Sequence, residues 1–244
     1  MFTITFDVDD TLVSIDPALH LEAHRRALRA VGATTPLHLS GRGVIEWDVG
    51  AKRRLPETVW GIAHYLTGSK APVGFAQQYG AALDAAWAEL LADGAEVVAV
   101  PGAVEVLDAA ETERFALGMV SGATRAVASR WLAAAGLAPE RFSVGGFGDG
   151  VERPMIVAAA VGDANPRQPV LAHVSSNVLD VRAARNAAVL SIGVANEQVE
   201  IAQFARLDRL PDATLGGLGQ RVVELATAMR AERERSSLAP GRYH

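Results

Sequence analysis

After Val100-Pro101-Gly102 the chain settles into an alternation that leaves few folds open. A helical run, AVEVLDAAE, leads to an apolar β-rich run, FALGMV (115–120). Helix ATRAVASRWLAAAG is followed by strand FSVGGF, helix MIVAAAV by strand PVLAHV (169–174), and helix LDVRAARNAA by strand VLSIGV (189–194). Strands that alternate with helices connect through right-handed crossovers and make a parallel sheet covered on both faces. One more β-branched and aromatic run, FTITF (2–6), stands far upstream and predicts a first strand of the same sheet. Between the two, apolar positions recur at helical spacing and no β-rich run intervenes. Asp16 suits an N-cap, Pro17 a first helical position and Gly32 a stop. The segments GVIEWDVGAKRRL, PETVWGIAHYL and AQQYGAALDAAWAELLAD continue the helical block. The pattern predicts an α/β protein: a discontinuous, Rossmann-like parallel core (1–14 and 97–244) with an inserted helical cap (15–96). A last helix, RVVELATAMR, leads into a polar tail, and residues 232–244 are expected to be flexible.

Composition narrows the function. Half of the 244 residues are hydrophobic and 21% are charged, enough apolar material for a sizeable core. The net charge is −5 with no basic stripe, which speaks against nucleic acid as a partner. Short basic pairs, Arg25–Arg26 and Arg53–Arg54, read as solvated helix faces. There is no cysteine, so disulfides, thiolate metal sites and a cysteine nucleophile are all excluded. Asp7, Asp9 and Asp10 interrupt the first apolar stretch and no basic leader precedes it, unlike a secretory signal. No run approaches the roughly 18 apolar residues of a membrane helix. A cytoplasmic protein with no membrane partner, monomeric or homodimeric, is the expectation.

The chemistry should gather where strands end, because ligands of open α/β sheets bind in the crevice beyond the carboxyl ends. The first strand ends in FDVDDTLV, with three carboxylates in four positions. Each ionised group there raises the cost of ionising its neighbours, so a metal cation, a basic side chain or a solvated turn must compensate. Ser121-Gly122 follows FALGMV, and Ser175-Ser176 follows PVLAHV with Asp180 one turn later. Arg153-Pro154 lies in the loop before MIVAAAV.

FDVDDTLV resembles the first motif, Asp-x-Asp-x-Thr, of the haloacid dehalogenase-like superfamily. LGMVSGAT is similar to its second motif, and LDVRAARNAAVLSIGV to the run after its fourth. The helical block sits where that family inserts a cap. The resemblance implies a phosphatase acting on a small phosphorylated metabolite through an aspartyl-phosphate. Asp7 matches the nucleophile and Asp9 the acid/base, which protonates the leaving alcohol and then activates water. Thr11 is expected to brace the turn, and Ser121 with the Gly122 amide at a helix start to hold the phosphoryl group. The implied cofactor is Mg2+, held by Asp7, the backbone carbonyl of Asp9 and an acid of the fourth motif, with Asp180 as the available one. A mutase or phosphotransferase would use the same chemistry. A dehalogenase is disfavoured, since that branch has no acid at the position of Asp9.

Two positions depart from the pattern. Arg153 stands where the third motif carries a lysine, and a planar fork is not a point charge. Ser176 stands where the fourth motif carries its first Asp, and Ser175 replaces its Gly, so the implied metal site loses one negative charge. Asp180 either moves inward to compensate or supports Arg153. These departures keep a second reading open: a diverged scaffold that binds a phosphorylated ligand without efficient turnover. His173 reads as a satisfied strand-end histidine, His24 and His64 as structural, and Trp47, Arg53 and Arg54 as a solvated cap face or substrate contacts. The GGFGDG stretch (145–150) misses dinucleotide-loop spacing and is expected to be a flexible loop.

Overall fold

The computed structural model describes residues 1–33, 36–40, 45–48, 52–54, 56, 58–68, 72–195 and 211–238. In chain order the elements are β1 (Thr3–Asp7), β2 (Val13–Ile15), α1 (Pro17–Ala30), β3 (Leu37–Leu39), β4 (Ile45–Asp48), β5 (Lys52–Arg54), α2 (Val59–Thr67), α3 (Pro72–Ala92) and β6 (Val97–Ala99). There follow α4 (Ala103–Thr112), β7 (Ala116–Ser121), α5 (Arg125–Ala134), β8 (Phe142–Phe147), α6 (Ile156–Asp163), β9 (Val170–Ser175), α7 (Val178–Asn186), β10 (Leu190–Val194), β11 (Ala213–Leu215) and α8 (Gln220–Leu238).

Six strands form one parallel sheet in the order β11-β10-β9-β1-β7-β8. The strand farthest from the others in sequence, β1, is thus central, and every one of its residues is buried. That is why it reads as a continuous apolar run. Helices α6 and α7 share one cluster of buried residues with Val120, Val144, Val170 and Val189. Helices α4, α5 and α8 join the larger core on Ile4, Phe6, Leu117 and Leu171. Because β1 lies between β7 and β9, its carboxyl end is flanked by both neighbouring strand ends, with Ser121 closing β7 on one side and Ser175 closing β9 on the other.

The inserted block begins and ends on an antiparallel pair, β2 with β6, which fastens its two connections to the core. Helix α1 starts as its sequence dictates, with Asp16 accepting from the Ala18 amide at 2.8 Å and Pro17 at the first position. The expected helix over GVIEWDVGAKRRL is not what forms. Strands β3, β4 and β5 make a small antiparallel sheet instead, with a His38–Glu46 contact of 3.2 Å across its first pair. Ile45-Glu46-Trp47-Asp48 alternates apolar with polar, the period of a strand, over too few residues to outweigh a helical pattern in a longer window. The inserted block is therefore mixed rather than purely helical.

Helix α8 runs on through Leu238, while residues 239–244 lie outside the described ones. The charged stretch is tied back to the core: Arg230 sits 4.5 Å from the centre of the Phe115 ring and donates to the Glu113 carbonyl at 2.8 Å, and Arg233 lies over Phe2.

GGFGDG, too, is ordered by contact. Its first three residues belong to β8, and Gly148 donates to the Ser121 carbonyl at 2.9 Å. A Cβ on Gly148 would land on the Gly122 carbonyl oxygen and lie 2.8 Å from the Thr58 Cβ. The inserted block is latched at this same point, Val59 donating to the Gly122 carbonyl at 3.1 Å and Trp60 to that of Gly148 at 2.6 Å. Gly148→Ala is expected to lower stability by about 1–3 kcal/mol, the cost of overpacking a closed site. Gly150→Ala, where an added Cβ meets nothing within 4 Å, is the control and should be close to neutral. Urea unfolding of the two variants checks this, and equal midpoints would remove the latch.

Candidate active site

The turn after β1 places the acids. Val8 donates to the Val120 carbonyl at 3.0 Å, extending the pairing with β7 by one residue, and its own carbonyl accepts from Leu12 and Val13. This folds Asp9-Asp10-Thr11 back over the strand end. Asp10 takes φ 58°, a left-handed conformation that Asp tolerates better than most side chains.

Asp7 is 2% exposed and touches three other parts of the chain. Arg153 Nη2 donates to its Oδ1 at 3.2 Å, and the Ser175 and Thr11 hydroxyls donate to Oδ2 at 3.3 and 3.4 Å. Burial pushes the Asp7 carboxyl well above its ordinary value; the Arg153 charge opposes this, and Asp180 and Asp9 add to it. Thr11 does brace the turn: its hydroxyl accepts from the Ser176 amide at 2.9 Å and lies 3.0 Å from Ser176 Oγ, joining the loops after β1 and β9.

Asp180, at the start of α7, is fully buried. Arg153 grips it as a fork, Nε to Oδ1 and Nη2 to Oδ2, each at 2.6 Å. Ser175 Oγ donates to Oδ2 at 2.8 Å, and His173 Nε2 lies 3.4 Å from the same oxygen. Burial alone would raise this carboxyl, but the guanidinium and His173 override it and hold the group far below the ordinary range. Of the two roles open to Asp180, the geometry is the supporting one beside Arg153. His173 is a satisfied strand residue, bonded also to Thr5 Oγ1 at 3.0 Å, and its partner makes it part of the site's foundation.

Ser121 ends β7 one residue beyond the neighbour of Asp7, 1% exposed, and its Oγ accepts from the Ala123 amide at 3.1 Å. Helix α5 begins only at Arg125, capped by Thr124, so Gly122 belongs to the turn before the helix rather than to its first residue.

The side chain that sequence reasoning missed is His20. It lies on the first turn of α1, with Nε2 at 3.3 Å from Asp9 Oδ1 and 3.2 Å from Oδ2. The Trp87 and Trp131 rings stand edge-on to it at 5.4 and 5.2 Å, and His24, bonded to the Tyr79 hydroxyl, stacks at 6.5 Å. Burial disfavours the charged imidazole, yet Asp9 outweighs this and the His20 value rises. For Asp9 burial acts upward, and the His20 charge and hydrogen bond bring the net direction down. Burial with the adjacent Asp9 raises Asp10 to about 7, and burial with the adjacent His20 lowers His24 to about 3. One cap histidine is thereby held charged against the core carboxylate while its neighbour stays neutral.

These groups do not make a magnesium cage. Both Asp180 oxygens are taken by the guanidinium, Ser176 offers a neutral hydroxyl bonded to Thr11, and the Asp9 carboxylate faces His20. Among the described residues no group of three or more His, Asp or Glu side chains is arranged to hold a metal ion. Of the expected set, the Asp7 and Asp180 carboxylates share Arg153, and Asp9, expected to act through its backbone carbonyl, has its carboxylate on His20. Trp47, Arg53 and Arg54 lie on the cap strands, and their side chains are outside the described residues.

A family model for haloacid dehalogenase-like hydrolases matches residues 2–188. The fold is similar to that of CbbY from Rhodobacter sphaeroides in complex with phosphate, with TM-score 0.62 and 22% identity over 89% of this chain and 95% of that one. It is similar to a hydrolase from Pseudomonas syringae, with TM-score 0.61 and 19% identity over 93% and 99% of the two chains. A predicted phosphoglycolate phosphatase from Haemophilus somnus gives TM-score 0.56 and 20% identity over 91% and 96%. No curated protein matches the chain.

Proposed function

The chain belongs to the haloacid dehalogenase-like hydrolases, and on that premise we propose that it hydrolyses a small phosphorylated metabolite through a covalent intermediate on Asp7. The observation that carries this reading is the pair Asp7 and Asp9 at the end of the central strand, one carboxylate held by Arg153 and the other by His20. Two carboxylates in such different environments suit two different tasks.

In the first step an Asp7 oxygen attacks phosphorus and the ester P–O bond breaks. Its electron pair leaves with the alcohol oxygen, which takes a proton from the Asp9–His20 pair. In the second step water attacks the same phosphorus and gives its proton back to that pair. The P–Oδ bond breaks, and phosphate departs from a regenerated Asp7. Arg153 and Ser121 would bind the phosphoryl oxygens, and the turn amides after β7 would add donors. Haloacid dehalogenase-like hydrolases generally use Mg2+; the cation would strengthen phosphoryl binding, but no step above requires one. The Gly122 and Gly148 carbonyls accept from the first amides of α2 and tie it to the loops after β7 and β8, which supports a covering role for the inserted block and exclusion of bulk water.

A second reading, binding without efficient turnover, rests on Ser176, which places a neutral hydroxyl where the family's motif has an acid. One assay separates the two. Inorganic phosphate released from a panel of sugar and small-acid phosphates is measured with and without Mg2+, with Asp7→Asn as the background. Release above that background on any member supports the hydrolase. Thermal stabilisation by the same compounds with no release on any of them supports the binding protein instead.

A further inference from the structure

We propose that the site holds no resident divalent cation, and that the guanidinium of Arg153 is the cation its buried carboxylates are built around. The inference rests on the phosphoryl-transfer reading for the identity of the ligand, but not for the evidence about the ion. Two carboxylates, 2% and 0% exposed, need a compensating positive charge. Arg153 reaches both: its Nη2 lies 3.2 Å from Asp7 Oδ1 and 2.6 Å from Asp180 Oδ2, while Nε closes the fork on Asp180 at 2.6 Å. A lysine ammonium is one point charge; the planar guanidinium spans two carboxylates and fixes their relative orientation.

The surroundings complete the exchange. Mg2+ demands near-octahedral oxygen ligands and sheds its water reluctantly, so it needs carboxylates free to face it. Here Asp180, the carboxylate that could supplement Asp7 from the β9 side among the described residues, is closed off by the fork, by Ser175 Oγ at 2.8 Å and by His173 behind it. The position nearest the Thr11 brace is Ser176, whose amide and hydroxyl are both engaged with Thr11. On the other side the Asp9 carboxylate has His20 as its counter-charge. Both carboxylates of the expected metal set, Asp7 and Asp180, already have a basic partner in Arg153, and the two substitutions that set the site apart, Arg153 and Ser176, act in the same direction. One adds a spanning cation and the other removes a negative charge.

The test is Mg2+ binding itself, by isothermal titration calorimetry on chelator-treated full-length protein. No saturable binding across the millimolar range is expected, and any heat that survives Asp7→Asn lies elsewhere and leaves the proposal standing. Saturable binding that Asp7→Asn abolishes overturns it. Arg153→Met should release Asp7 and Asp180 to recruit Mg2+. Because that variant strips a partner from a buried carboxylate, Ser176→Asp is the second route and should gain affinity at least tenfold with the fork intact. If neither folded variant gains Mg2+ binding, the guanidinium is not in an ion's place and the proposal falls. Phosphate release that a chelator abolishes and Mg2+ restores also overturns it while upholding the hydrolase. Absence of both release and Mg2+ binding sinks the hydrolase and leaves this inference intact.

Discussion

Arg153→Met is expected to lower the unfolding free energy by about 3–5 kcal/mol at neutral pH, the cost of leaving a buried ion-pair partner uncompensated. The Arg153 side chain is 11% exposed and its partners Asp7 and Asp180 are 2% and 0% exposed. Without it, Asp180 keeps Ser175 and His173 among the described residues, and Asp7 keeps Thr11 and a share of the same Ser175 hydroxyl. By contrast, Arg141 also makes two short ion pairs, yet Asp108 and Glu111 are 62% and 45% exposed, and such surface pairs are worth about 0–1 kcal/mol. The pH dependence has a definite sign. The folded-state value of Asp180 is depressed, so its contribution is present above the unfolded value of about 3.9 and is lost as pH falls through the folded one. The variant lacks that contribution, so its deficit should be full at neutral pH and shrink in acid. Arg153→Lys, which offers one ammonium to two carboxylates, should fall between. Urea unfolding at neutral and acid pH decides the matter; a deficit unchanged by acid would mean lost packing rather than unpaired charge.

The parallel core was legible because β1, β7 and β9 are buried on both faces, which leaves β-branched and largely apolar runs such as FTITF and VLAHV between helical patterns. Helix α1 was legible for a local reason as well: Asp16, Pro17 and Gly32 mark its two ends within the chain itself. The cap sheet was not. Leu37–Leu39 and Lys52–Arg54 are three residues each, too short to show a period, and what makes them strands is their pairing with β4. In the site, the spacing of Asp7, Asp9 and Thr11 located the turn, whereas the role of Asp180 depended on where the Arg153 side chain reaches, from a loop 27 positions away. His20 carried a faint signal, a histidine four positions before another in the helix that directly follows the acids. Its function lies in tertiary contacts with Asp9, Trp87 and Trp131, which the helical pattern of α1 does not encode.

Those contacts give the other large effect. Asp9→Asn is expected to slow phosphate release from alkyl esters about 10²–10⁴-fold, the usual contribution of a positioned acid/base. An aryl phosphate whose phenolate leaves without a proton should lose much less in the first step. With that substrate the Asp9→Asn protein should accumulate the Asp7 phosphoenzyme, because attack by water still lacks its base. His20→Gln separates the acid from its partner. In the wild-type pair His20 is raised and Asp9 lowered, so the transferable proton resides chiefly on the imidazole and is lost as pH rises through the His20 value. Stability follows the same course on the alkaline side, the His20 contribution being whole below its unfolded value of about 6.5 and gone above the folded one, while the Asp9 contribution is lost as pH falls below the unfolded carboxyl value of about 3.9. With Gln at position 20 the proton must sit on Asp9 alone, a carboxyl of intrinsically lower affinity, so the alkaline limb of the rate profile should move to lower pH. An alkaline limb that stays in place in His20→Gln would remove the histidine from proton transfer and leave it only the task of holding Asp9 in position.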